Sequence, residues 1–138
     1  MGNVIHTDAP SKRREKILRL IATMLKISDL DQVYNDEYKD KVAFIYLSLL
    51  ELDKTISETV SPWEKRDYWL KADKFRKEWN WVKTVLTAIN AKMFNKKWSD
   101  IGIEIDYIKS KMTDLEPLKR MSNTKFWDGA YKTYLNQV

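Results

Sequence analysis

The sequence predicts an all-α protein: a helical bundle of four main helices plus a short helix, built on a long antiparallel hairpin between the second and third helices. Three observations carry that expectation. An apolar or aromatic residue returns at 68, 72, 75, 79, 82, 86, 89 and 93, alternating steps of four and three, which is the period of an amphipathic helix. The 138 residues include only three glycines and three prolines, too few for the turns of a β architecture. Hydrophobic residues make up 43% of the chain, enough for one core despite 33% charged residues. One domain over residues 1–138 follows, with residues 1–7 as a flexible tail.

The first helix starts near Asp8-Ala9-Pro10, since Asp caps well and Pro fits a first turn. Ile17, Leu18, Leu20, Ile21, Met24 and Leu25 form its apolar face. After the polar breaks at Ser28-Asp29-Leu30-Asp31 and Asn35-Asp36, a second helix runs roughly from Asp36 to Thr59. Its stripe, Val42, Ile45, Leu49, Leu52, Ile56 and Val60, is widened by Phe44, Tyr46, Leu47 and Leu50 and should touch more than one neighbour.

Ser61-Pro62-Trp63-Glu64 then reads as a helix start, with Ser61 as N-cap, Pro62 in the first turn and Glu64 closing a capping box. A tight connection there makes the second and third helices antiparallel. The third helix would span about 33 residues and roughly 50 Å. Phe75, Trp79, Val82, Leu86 and Ile89 should be buried, with Trp69 in the core beside them. Trp98, Ile101, Ile105, Ile108 and Met112 define a fourth helix weakened at Gly102; a strand at Ile101, Ile103 and Ile105 would find no partner. Thr113-Asp114-Leu115-Glu116 repeats the capping-box pattern and should open a short helix. Thr124 caps the last helical stretch, where Trp127, Ala130, Tyr131, Tyr134 and Leu135 share a face.

The chemistry of a catalyst is missing from this inventory. The single histidine, His6, stands in the unpatterned tail, and there is no cysteine to pair with it. Glycines at 2, 102 and 129 stand alone, so no phosphate-cradling loop forms. The carboxylates Asp36-Glu37-Asp40 and Glu104-Asp106 have no histidine at helical spacing and read as surface charge rather than metal ligands. No catalytic residue, metal or cofactor is expected, and the chain reads as a non-enzyme. The longest apolar run, Val42 to Tyr46, is far short of a membrane span, and no targeting segment is visible. A cytoplasmic protein with no membrane partner is expected.

The charge layout is the remaining clue. Residues 31–60 hold three basic and seven acidic groups, whereas residues 61–97 hold ten and four. Two basic surfaces emerge. One is the start of the first helix, with Lys12, Arg13, Arg14, Lys16 and Arg19, where the macrodipole disfavours cations. The other is the outer face of the third helix, where Arg66, Leu70, Lys74, Lys77 and Trp81 follow one another at steps of four, four, three and four. Cations interleaved with an indole can neutralise phosphates and offer a platform to an unpaired base. The competing explanation is structural: complementary charge on antiparallel neighbours, with Leu70 and Trp81 packed under another helix and lysines snorkelling around them.

The expected function is therefore a non-enzymatic, small basic helical accessory subunit that contacts nucleic acid, or an acidic protein surface, within a larger complex. The alternative is a protein–protein adaptor or structural subunit using the aromatic surface of the third helix. In scale and make-up the chain resembles small helical subunits of nucleoprotein assemblies, those of CRISPR effector complexes among them. No helix-turn-helix, zinc-finger or ribonucleoprotein motif accompanies that resemblance, and no residue role is carried over from it.

Overall fold

The computed structural model describes residues 8–28, 30, 33–119 and 125–137. Among them run five α-helices, α1 (Pro10–Ile27), α2 (Asp36–Lys65), α3 (Trp69–Phe94), α4 (Gly102–Lys111) and α5 (Ala130–Gln137), with a 3₁₀ turn at Trp98–Asp100 and no strand. The expected tail at residues 1–7 and the cap at Thr124 lie outside the described residues.

The all-α bundle built on an antiparallel α2–α3 hairpin is what the structure shows. Its axis is α2, because a stripe as wide as this one buries more than a single partner can cover. Val42, Ile45, Leu49, Leu52, Ile56 and Val60 are all buried, and α2 packs on α1, α3 and α5 together. Ile21 and Met24 of α1, Val82, Leu86 and Ile89 of α3, and Ile105 and Ile108 of α4 complete one continuous core. Each fully buried leucine there, such as Leu49 or Leu52, contributes about 1.5–3 kcal/mol.

The hairpin turn does not lie at Ser61. α2 runs through Ser61 and Pro62 to Lys65, so Ser61 caps nothing and the capping-box reading is overturned. Proline at 62 forfeits its own bond to the carbonyl one turn back and crowds that carbonyl with its ring. Contacts from the next two residues hold that last turn in place: Trp63 meets Phe75 edge-on with centroids 5.5 Å apart, and Glu64 pairs with Arg76. The true break is Arg66-Asp67-Tyr68. The Tyr68 N–H donates to the Trp63 carbonyl (2.8 Å) and the Asp67 N–H to that of Glu64 (3.0 Å), while Asp67 takes a left-handed φ of 61°. This is a Schellman end with aspartate where glycine is usual. α3 ends the same way: Lys96 has φ 56°, and the Lys97 N–H donates to the Lys92 carbonyl. With the break moved, α3 has 26 residues and a length of about 39 Å instead of the longer rod expected.

Other boundaries shift for local reasons. Asn35 caps α2, its Oδ1 accepting the Tyr38 N–H at 2.9 Å. Pro10 stands in the first turn of α1 as expected, but the cap position is Ala9, with no side-chain cap, and Asp8 pairs with Lys12 at 3.6 Å. The expected short helix at Thr113 does not form. Residues 115–118 form no helix, because Pro117 disfavours helical backbone at Glu116. That segment crosses α1, where the Leu118 N–H donates to Thr23 Oγ1 (2.8 Å) and Arg19 Nε to the Glu116 carbonyl (3.1 Å). Two of the carboxylates read as surface charge have structural work. Asp40 accepts the N–H groups of Gly129 (3.2 Å) and Tyr131 (3.0 Å) at the start of α5. Glu104 is buried and accepts Lys92 Nζ at 3.0 Å, and the same ammonium donates to the Asp100 carbonyl at 2.8 Å.

Candidate nucleic-acid interface

The five cations nominated on α1 are largely engaged within the protein. Arg14 is 8% exposed and belongs to the core, which overturns its assignment as a phosphate contact. Its Nη1 donates to Thr59 Oγ1 (3.1 Å) and, at 3.4 Å, to the carbonyl and hydroxyl of Thr55. Its Cζ lies 5.0 Å from the Phe75 ring centroid and 5.4 Å from that of Trp79. Burial pulls this guanidinium below the usual arginine range, and Glu78 opposes the shift. Arg13 is half-buried and paired with Glu58, and Arg19 is tied to Glu116 as above. Lys12 and Lys16 remain exposed, Lys12 in its pair with Asp8. Within this surplus of positive charge, Arg13 and Arg14 thus dock α1 onto α2 and α3.

The outer row of α3 divides in two. Arg66, Lys74 and Lys77 are exposed, Lys77 in a pair with Asp73 at 3.0 Å, and Leu70 is 88% exposed. Trp81 is only 8% exposed, so the expectation that it stands accessible beside those cations is corrected. The cause is α4, which packs on the later half of α3 and widens its buried arc. The indole lies 6.2 Å from Trp79 and 6.1 Å from Tyr107, with Lys111 Nζ 5.6 Å from its ring centroid. Val82, Leu86 and Ile89 are buried as the spacing requires, while Phe75 and Trp79 are half-buried.

The hairpin end was missed by sequence reasoning. Trp69, expected in the core, is 55% exposed, and Tyr68, counted on the seam, is 53% exposed. With Leu70 they form the one run of three consecutive exposed large apolar residues among those described. Lys65 and Arg66 precede this run, and Lys71 and Lys74 follow it, all four exposed. Lys65, Arg66 and Lys74 enter no ion pair among the described residues. Lys71 Nζ sits 4.4 Å from the Trp63 ring centroid. No side chain caps α3 here and no acid stands in its first turn, so the positive end of the helix dipole adds to these charges. The local offsets are the exposed carboxylate of Asp67, together with Asp73 and Glu64, which pair with Lys77 and Arg76. A turn at residues 66–68 was the missing signal, since it converts two presumed core positions into a protruding tip.

A second surface feature is a groove of about 380 Å³ between α3 and α4, lined by Asn80, Trp81, Thr84, Val85, Ala88, Ile103, Glu104 and Tyr107. It is mainly apolar, and Ile103 on its rim is 75% exposed. Among the described residues no group of three or more potential ligands could hold a metal ion, and no helix is long and apolar enough to cross a membrane. The chain matches no protein-family model, no curated protein and no solved structure.

Proposed function

We propose that this chain is a non-enzymatic accessory subunit that contacts nucleic acid through the end of its α2–α3 hairpin, as part of a larger cytoplasmic assembly. The observation that supports this reading is the difference between its two basic regions. Arg13, Arg14 and Arg19 of α1 are engaged in holding the bundle together, whereas Lys65, Arg66, Lys71 and Lys74 surround an exposed aromatic tip. Among the described residues Lys65, Arg66 and Lys74 enter no ion pair and can be given to phosphates without dismantling the fold.

The test is a salt titration of binding to labelled oligonucleotides by the intact chain. Replacing Arg66 and Lys74 together by Glu should leave the unfolding midpoint nearly unchanged, because both lie off the core. Loss of two phosphate contacts should flatten the log–log salt slope by about 1.8 on duplex DNA and about 1.4 on a single strand. An unchanged slope would refute the assignment of these residues. The adaptor reading rests on the α3–α4 groove, whose apolar floor and exposed Ile103 suit the side chains of a partner helix. It gains ground if Ile103→Asp abolishes association with a co-purifying protein while oligonucleotide binding is unaffected.

A further inference from the structure

We propose that the hairpin end is a single-strand site, in which the rings of Tyr68 and Trp69 stack on unpaired bases while Lys65, Arg66, Lys71 and Lys74 hold the flanking phosphates. This deepens the nucleic-acid reading above and depends on it. The argument begins with what these rings forgo. Tyr68 and Trp69 are each more than half exposed, in a chain that buries Trp81, Trp98 and Trp127. Leaving such rings in water sacrifices the largest burial gain any side chain offers.

The tip is also well fixed. The Schellman turn pins Asp67 and Tyr68 with one backbone bond each, Trp63 packs against Phe75, and Lys71 is drawn over the Trp63 ring. A backbone held this way loses little freedom when a ligand lands on the rings it carries. The order of residues matters as well. Two cations, a two-ring platform with Leu70 beside it, and two further cations alternate charge with flat apolar surface. A single strand presents the same alternation of phosphate and base.

A duplex does not match this surface, because its base faces are already stacked inside the helix and only its phosphates are offered. A lipid surface matches it less well too. Asp67 stands between Arg66 and Tyr68 at the outermost turn, and its carboxylate would have to enter the anionic headgroup layer along with the rings. A strand threaded past the tip can place its phosphates at the cations on either side of that carboxylate.

The experiment compares the intact chain with Tyr68→Ala/Trp69→Ala, the conservative Tyr68→Phe/Trp69→Phe, and Arg66→Glu/Lys74→Glu. Each is titrated at several salt concentrations with a short mixed-sequence single strand, with its duplex, and with vesicles of phosphatidylcholine and phosphatidylserine. The alanine pair should weaken single-strand binding by roughly 5- to 150-fold for each stacked base. Duplex binding and the salt slope should hardly change, and the phenylalanine pair should retain most of the affinity. Equal losses on strand and duplex, or no loss while salt-dependent binding persists, overturn the single-strand site and leave nucleic-acid contact standing. Absence of salt-dependent binding to either oligonucleotide overturns both proposals. Adsorption to the anionic vesicles without strand binding also overturns both, and identifies the tip as lipid-facing.

Discussion

Arg14 offers the sharpest separation between a cation that builds the fold and one that serves a ligand. Replacing it by Ala removes one well-placed charged hydrogen bond, the 3.1 Å contact to Thr59 Oγ1, and two longer ones to Thr55. A hydrogen bond to a charged group contributes about 1.5–3 kcal/mol. The guanidinium also loses its place near Phe75 and Trp79, a contribution of about 0.5–2 kcal/mol for a desolvated cation over rings. Against these losses stands relief from burying a charge, the same burial that lowers the Arg14 pKa. No hydroxyl is orphaned, because Thr55 and Thr59 already donate to the Leu52 carbonyl (2.6 Å) and the Thr55 carbonyl (2.8 Å).

The net expectation for Arg14→Ala is a loss of about 2–4 kcal/mol, or roughly 6–16 °C in Tm for a chain of this size. Arg14→Met, which refills the slot without a charge, should recover most of it and fall within about 1 kcal/mol of the parent. Arg14→Lys should not, since an ammonium cannot reach both threonines from one planar fork. Urea unfolding of the four proteins, with oligonucleotide affinity measured in parallel, decides the matter. If Arg14→Ala unfolds within about 0.5 kcal/mol of the parent yet binds oligonucleotide more weakly, the reasoning fails and Arg14 is a phosphate contact after all.

Four further expectations concern the frame that carries the tip. Ser61→Ala should change stability by less than about 0.5 kcal/mol, whereas Asn35→Ala should cost about 0.5–2 kcal/mol, because only Asn35 caps a helix; chemical denaturation of the two variants compares them directly. Asp67→Gly should stabilise the protein by about 1 kcal/mol in the same assay, by relieving a left-handed aspartate. Asp40→Ala should cost about 1–3 kcal/mol and speed amide exchange selectively in α5, while Asp40→Asn keeps one acceptor and about half the loss. Burial holds the Tyr38, Tyr46 and Tyr134 phenols above their ordinary range. Unfolded phenols therefore release protons at a pH where folded ones keep them, so their contribution is complete below about pH 10 and is lost as pH rises past it. Tyr46→Phe should flatten the alkaline fall in stability relative to the parent.

Much of the fold was legible because it rests on period. The α2 stripe and the α3 seam from Ala72 onward are repeated every three or four residues, and one misplaced end does not disturb them. The ends were less legible because they depend on contacts far along the chain. Ser61-Pro62-Trp63-Glu64 satisfies every local rule for a helix start, yet Trp63 and Glu64 are occupied by Phe75 and Arg76, residues a helix apart. The usual stop signal was also missing, since Asp67 and Lys96 occupy the left-handed positions where glycine would have announced the turns. Pro117 was a readable signal that outweighs the capping pattern around it.

The candidate site was harder to read than the fold, for a reason that lies in what charge counts measure. Ten basic residues between 61 and 97 say nothing about which are already spent inside the molecule. Arg76 goes to Glu64, Lys77 to Asp73, Lys83 to Asp53 and Lys92 to Glu104, three of these pairs joining separate helices or residues well apart in sequence. Such pairs are complementary flanks of a bundle, and exposed ones among them are worth under about 1 kcal/mol each. A ligand can compete for the outer ones cheaply, but it gains most where no internal partner must be displaced. Along the α2–α3 hairpin that condition is met at Lys65, Arg66 and Lys74, and these three surround the rings that the bundle leaves in water. Uncommitted charge and unburied aromatic surface arise from unrelated causes, one from pairing and the other from the position of a turn. Their coincidence at a single hairpin end, rather than the chain's net charge of +5, is what supports binding there.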